Sequence, residues 1–425
     1  MMQRMDRRKF LVSGVSAFAG LGVRHEILAA ESRFQPSPLR LSSDAVSPGT
    51  GIVLWDTHEK VETDAIQLEY SYMKYDDVIT GRDNYDWSAV DKKLDAIAGR
   101  RHQAILRFYD TYPGQKTTVP AYIRDLPDYR ETRAKSEGRP TSFPDWSHGE
   151  WRRCVLAFFA RFSERYDRDP RLAFLQVGFG LWSEYHIYDG PFKLGKTFPS
   201  MEFQQEFLRH LSDVVRTTPW MISVDAASAE VSPITQQADL MSLNFGVFDD
   251  SFLCKVHRKE TEPNWNALDR ERWKRAPAGG EFSYYTPRDQ KEALATNGPY
   301  GESFEKAAAR FHICFLIGSD QPSYRSMDRI REAGRACGYR FEVTRFETNG
   351  RQTRVTVKNT GVAPCYFDMY VSLDGQRSQT SLRHLLPGDD RVSVIDRPPG
   401  GKPPQIESDR LVAGQKIPLQ ANLNA

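Results

Sequence analysis

Two short stretches set a glutamate among residues that could tune it. In the first, Gln176-Val177-Gly178-Phe179-Gly180-Leu181-Trp182-Ser183-Glu184-Tyr185-His186, a carboxylate lies between Trp182 and Tyr185. Apolar walls raise a carboxyl pKa and flat rings offer stacking faces to a sugar, the needs of a general acid that cleaves a glycosidic bond. In the second, Ala276-Pro277-Ala278-Gly279-Gly280-Glu281-Phe282-Ser283-Tyr284-Tyr285, two glycines let the backbone pass close to its neighbours. The two tyrosines can hydrogen-bond a carboxylate and hold it ionised, which suits a nucleophile.

Such residues act together only if strands deliver them to one rim. The apolar runs Gly51–Trp55, Ala65–Tyr72, Gln103–Phe108, Leu172–Gly178, Trp220–Val224, Leu240–Phe245, Gly279–Tyr284 and Ile313–Gly318 read as strands. Helical periodicity occupies Trp87–Arg100, Gly149–Tyr166, Glu202–Thr217, Ser303–Arg310 and Ser326–Cys337. Strands alternating with helices predict an α/β fold, a (β/α)8 TIM barrel over residues 51–337. A doubly wound open sheet is the competing architecture, but no Gly-rich phosphate turn follows the first strand. After Cys337 the texture changes to short alternating runs, Tyr339–Phe346, Gln352–Asn359, Cys365–Leu373 and Arg391–Ile395, which predict a small antiparallel β-sandwich over 338–425. Residues 31–50, rich in Ser and Pro, read as a leader into the fold.

In such a barrel functional groups project from the carboxyl ends of the strands. That rule nominates Trp55 and Asp56 after the first strand, Lys74 after the second, and Arg107, Tyr109 and Asp110 after the third. Trp182, Tyr185 and His186 follow the fourth, Asn244 and Asp249 the sixth, Tyr284 and Tyr285 the seventh, and Asp320 the eighth. Polar groups interleaved with rings are what a saccharide cleft needs. Arg107 and Lys74 would also permit a uronate. The nine histidines show no metal-ligand spacing and no Gly-x-Ser-x-Gly elbow occurs, so neither a metal nor another cofactor is expected.

Arg7-Arg8-Lys9-Phe10-Leu11, the apolar run Val12 to Val23 and Leu28-Ala29-Ala30 follow the order of a twin-arginine export signal over residues 1–30. Cleavage there would leave a periplasmic or secreted chain, with formal charge falling from +2 to −1. A near-neutral chain lacks the electrostatic footprint of a nucleic-acid or membrane-surface partner. Cys154, Cys254, Cys314, Cys337 and Cys365 show no paired spacing, although export would permit one disulfide.

The stretches Tyr72-Met73-Lys74-Tyr75-Asp76-Asp77-Val78, Tyr85-Asp86-Trp87 and Leu106-Arg107-Phe108 resemble the opening barrel units of β-galactosidase-like glycoside hydrolases of clan A type. Trp182-Ser183-Glu184-Tyr185-His186 is similar to the Trp-Gly-Glu-Trp-His element of uncharacterised exported TIM-barrel proteins, and His312 to Leu316 with Asp320 resembles their last strand. The resemblance implies a retaining hydrolase acting on a carbohydrate substrate, with Glu184 as acid/base and Glu281 as nucleophile. It departs at Ser183, where those hydrolases usually carry an Asn that contacts the sugar 2-hydroxyl. The reading from another class is a non-catalytic glycan-binding or surface-scaffold protein, which keeps the aromatic cleft without convergent carboxylates.

Overall fold

The computed structural model describes residues 33–424, so the expected export signal lies outside the described residues. Eight parallel strands close into a barrel in sequential order: β1 (Gly51–Trp55), β2 (Leu68–Lys74), β3 (Gln103–Tyr109), β4 (Leu172–Gln176), β5 (Trp220–Ser223), β6 (Gly246–Phe252), β7 (Ala278–Phe282) and β8 (Phe315–Ile317). The side-chain period of two sorts each strand. Val53, Tyr70, Ile105, Phe174, Phe248 and Ile317 fill the barrel interior, with Phe174 stacked on Phe315 at 5.0 Å. Their neighbours Leu54, Leu106, Phe108, Leu175, Val247 and Phe282 face the helix layer. Gly279 lies where a Cβ would come within 2.6 Å of the Phe315 ring, so the interior layer closes only around glycine.

The outer helices arise where the apolar spacing predicts them. Gly149–Tyr166 buries Val155, Phe158, Phe159 and Phe162. Met201–Val214, Phe304–Phe311 and Met327–Arg335 each start with a serine, Ser200, Ser303 and Ser326, whose side chain accepts a first-turn backbone N–H. No helix among the described residues is long and apolar enough to cross a membrane.

The sixth strand departs from the expected Leu240–Phe245. There Ala238–Ser242 is a short helix, and the chain enters the barrel only at Gly246, where a Cβ would meet the Pro277 carbonyl oxygen at 2.5 Å. The apolar run was misleading because Leu240 and Phe245 are buried beneath the barrel rather than within its wall. The true strand, Gly246-Val247-Phe248-Asp249-Asp250-Ser251-Phe252, breaks its apolar pattern with two aspartates.

Beyond the barrel, one sheet includes Phe341–Thr348, Thr353–Asn359, Asp390–Ile395 and Leu419–Leu423, and a second joins Tyr370–Leu373, Gln376–Ser381 and Gln405–Glu407. Phe341, Val343, Val355 and Val357 of the first pack with Val371, Leu373 and Ile406 of the second in one apolar layer. The pairing is not wholly antiparallel, because Leu419–Leu423 runs parallel to Phe341–Thr348. Nor is residues 31–50 only a leader. Gln35–Pro36 pairs with the end of Phe341–Thr348, and Leu39–Leu41 adds an edge strand against Leu419–Leu423. All five cysteines are buried and unpaired.

Candidate functional site

At the carboxyl ends of the strands, one inward layer carries polar and aromatic side chains in place of the aliphatic ones below. Its hub is Arg107, on the inward face of β3 and 1% exposed. Parallel register sets Arg107 beside Gln176 of β4, whose amide oxygen accepts from Nε at 2.8 Å and also from Nη2. Nη1 donates to Glu184 Oε1 at 2.8 Å and to the Trp182 carbonyl at 3.3 Å, and Nη2 lies 2.8 Å from Asp250 Oδ2. Beneath, the guanidinium rests 4.3 Å from the centre of the Phe248 ring. A cation buried so deeply needs acceptors for its donors, and here two of them are carboxylates.

Glu184 is presented by a tightly wound loop. Gly180 is left-handed, and so are Trp182 (φ 53°), Ser183 (φ 61°) and Tyr185 (φ 63°). Each left-handed residue with a side chain costs roughly 1–2 kcal/mol, so the surrounding contacts must hold the loop. Ser183 supplies one of them: fully buried, it donates from Oγ to the Phe108 carbonyl at 2.8 Å and turns away from the cavity. Tyr185 is likewise buried against Phe179, so it anchors the loop rather than walling the site. Gly178 is obligatory, since a Cβ there would meet the Ser183 carbonyl oxygen at 2.0 Å.

Glu281 points inward from β7, next to β8 at Ile317. Gly280 lets β7 run against β6, where a Cβ would lie 2.1 Å from the Asp249 carbonyl oxygen. The expected tyrosine partners do not serve this carboxyl: Tyr284 and Tyr285 are 50% and 66% exposed at the cavity mouth. Burial and the Asp250 charge push the Glu281 carboxyl up to about 8, against the opposing pull of Arg107 and of the Trp55 indole. Burial and Asp250 likewise raise Glu184 well above the usual carboxylate range, against the pull of Arg107, and the Glu281 charge adds to the rise. One arginine among three carboxyls therefore keeps protons in the site at neutral pH.

The cavity over this layer has a volume of about 940 Å³. Trp55, Trp182, His186, Tyr284 and Tyr285 line it as expected, together with Glu184 and Glu281. Residues that sequence reasoning missed join them: Tyr72, Tyr112, Tyr188, Glu137, Asp225, Asp250 and Glu260. Trp182 stacks on Tyr188 at 19° and 6.1 Å, and the Tyr188 hydroxyl donates to Glu137, carried on the Thr132–Ser136 and Arg139–Phe143 hairpin. His186 Nδ1 pairs with Asp225 Oδ2 at 2.7 Å, while Nε2 lies 3.8 Å from Glu184 Oε2.

Other expected positions fall elsewhere. Asn244 is exposed just before β6, at the opposite rim, because the strand begins later than its apolar run suggests. Asp249 reaches the cavity edge, yet its carboxylate accepts from Ser251 and lies 3.1 Å from His257 Nδ1, on the outward face of the strand. The inward member is Asp250, and the period of two is the signal that could have found it. Asp56 is tied to Lys93 of the first barrel helix, and Lys74 is exposed at the rim. The Tyr109 hydroxyl donates to Gln115. Asp110 is buried outside the cavity, and burial lifts its carboxyl to about 7. Asp320 lies beside Tyr284 and Glu281 without lining the cavity. No group of His, Cys, Asp and Glu among the described residues is arranged to hold a metal ion.

No family model and no curated protein matches the sequence. Among solved structures it is similar to an endo-glycoceramidase II from Rhodococcus sp. at 11% identity, over 85% of this chain and 100% of that one, with a TM-score of 0.42. An α-galactosidase from Thermus thermophilus gives 13% identity, 75% and 66% coverage, and a TM-score of 0.38. A broad-specificity endoglucanase from an uncultured bacterium gives 12%, 68% and 85%, and 0.39. At these scores the likeness has no bearing on activity, which is argued from the site's own chemistry.

Proposed function

We propose that this protein is an exported, retaining glycoside hydrolase in which Glu184 is the general acid and base and Glu281 the nucleophile. One observation carries the reading: carboxyls from β4 and β7 converge in an aromatic-walled cavity around a single buried arginine, both with raised pKa. Glu184, protonated, would deliver its proton to the departing glycosidic oxygen while ionised Glu281 attacks the anomeric carbon. Water activated by Glu184 would then release the glycosyl group. Trp182, Tyr188, Tyr284 and Tyr285 offer stacking faces, and Arg107 with Asp250 holds Glu184 in place. Because Glu281 titrates near 8, the rising limb of the pH profile is set by its ionisation, and the optimum lies on the neutral to alkaline side.

The test is hydrolysis of a glycan panel by the wild type, Glu184→Gln and Glu281→Gln, with the anomeric outcome read by proton NMR. Activity in the wild type and a loss of at least about a thousandfold in each variant supports the assignment. Full activity in both variants rejects it. A second reading, a non-catalytic glycan receptor, is favoured by the direct contact of Glu184 with Arg107 and by the left-handed residues that lock its loop. It predicts glycan binding without hydrolysis by the wild type.

A further inference from the structure

His186 is fixed from two directions. Its carbonyl accepts from the Leu181 N–H at 2.9 Å, and a Cβ on Gly180 would lie 2.3 Å from that oxygen. From the end of β5, Asp225 stands in the Val224–Ala227 turn, its N–H donating to Ser223 Oγ at 3.2 Å and its Oδ2 lying 2.7 Å from His186 Nδ1. Trp182 and Tyr188 meet the imidazole edge to face, at 6.0 Å and 5.3 Å. A carboxylate only accepts, so Nδ1 carries a hydrogen, and in the neutral ring Nε2 is then a bare lone pair. That Nε2 is buried without a hydrogen-bond partner and faces Glu184 Oε2 at 3.8 Å. Glu184 is asymmetric in the complementary sense. Its Oε1 accepts from Arg107 Nη1, and a guanidinium only donates, so the acid hydrogen belongs on Oε2. Tyr72 from β2, Asp250 from β6, Glu281 from β7 and Tyr188 further along the loop also face this carboxyl, and Asp250 is close enough to compete for the hydrogen.

We propose that His186, oriented by Asp225, is the positioning residue for the acid proton: its bare Nε2 takes the hydrogen bond from Glu184 Oε2 and keeps that oxygen protonated until a leaving group arrives. In this role His186 serves the glycoside hydrolase reading, on which the proposal rests. The 3.8 Å separation is longer than a hydrogen bond, and contacts of this kind tighten when a bound substrate excludes water. A sugar contact through His186 would ask nothing of its tautomer, whereas a Glu184 that donates to it requires the hydrogen on Nδ1.

The experiment reads both partners directly. Nitrogen NMR of the histidine rings at about pH 7.5 separates the two neutral tautomers from the imidazolium, with His186 assigned by its loss in His186→Gln. Carbon NMR of the glutamate carboxyls, with Glu184 assigned by its loss in Glu184→Gln, follows the Glu184 titration. The wild type is expected to show the Nδ1–H tautomer at His186. In Asp225→Asn the amide donates to Nδ1 and the ring hydrogen moves to Nε2, where it favours ionised Glu184, so the proton affinity of Glu184 should fall about tenfold. His186→Gln should lower it in the same direction. An Nε2–H tautomer or an imidazolium in the wild type overturns the proposal. So does a Glu184 titration unmoved in both variants, the result if Asp250 takes the hydrogen instead. Where the wild type hydrolyses a glycan, the alkaline limb of kcat/KM should move to lower pH in Asp225→Asn, whereas a merely structural role would lower activity and leave the limb in place. Hydrolysis with an unmoved Glu184 titration would remove this proposal and leave the hydrolase reading intact. The expected tautomer and titration without cleavage of any glycan would do the reverse.

Discussion

The two ends of the barrel each bury an arginine to 1% exposure, and they treat it in opposite ways. At the amino-terminal end, Arg272 donates to the carbonyls of Leu268 at 2.6 Å, Leu243 at 3.0 Å and Met241 at 2.9 Å, and its charge meets no carboxylate. Burial lowers it to about 9. At the carboxyl-terminal end, burial works against the Arg107 charge too, but Asp250, Tyr70, Tyr72 and Glu184 hold its pKa above the usual arginine value. One arginine knits the chain that leads into β6; the other sets the protonation of a cavity. Burial alone therefore does not mark a functional charge. What marks it is the company of groups that can exchange protons.

Arg107→Met is the harshest break of this contrast, because it leaves Glu184, Asp250 and Glu281 clustered without a counter-charge. Chemical denaturation at pH 7 should show a loss of about 3–5 kcal/mol, smaller at acid pH where the carboxyls are protonated. Arg272→Met strands several carbonyls and should cost about 3 kcal/mol. Its loss should stay flat between about pH 5 and 8, since no acidic partner titrates beside it. A pH-dependent loss at Arg272 would erase the distinction between the two ends.

Glu281→Gln sharpens it. The carboxyl is raised in the folded chain, so its contribution to stability is full below the unfolded value near 4.5 and is lost as pH rises through about 8. Thermal melts should therefore show the variant gaining on the wild type by about 2–3 kcal/mol from pH 6 to 9. Asn244→Ala, exposed at the amino-terminal rim, should move stability by less than about 0.5 kcal/mol and leave glycan binding unchanged.

Seven barrel strands were legible because their apolar runs end at the rim, where chemistry begins. The sixth was hidden because it carries chemistry inside its own span: Asp249 and Asp250 interrupt the run, while Leu240 and Phe245, buried below, imitate one. The same misplacement sent Asn244 to the wrong end and selected Asp249 over its inward neighbour. The two glutamates reach the cavity because each follows or ends a legible strand, although of the flanking rings invoked for them only Trp182 walls the site beside Glu184. Tyr285 looked like a carboxylate ligand and instead opens to solvent, whereas Glu137 and Tyr188 meet through a hairpin and a loop that carry no periodic signal. Ser183 reads as a lost sugar contact in sequence, but its buried hydroxyl is a brace for the loop behind Glu184.

The edge strand Leu39–Leu41 pairs with Leu419–Leu423, and Arg40 reaches Asn424, 384 positions further along the chain. A growing polypeptide must keep Leu39–Leu41 without this partner throughout synthesis of the barrel and most of the sandwich. Completion of that sheet is thus among the last events of folding, and its high sequence separation makes it a slow one. Deleting Leu39–Leu41 would open the same seam from the other side.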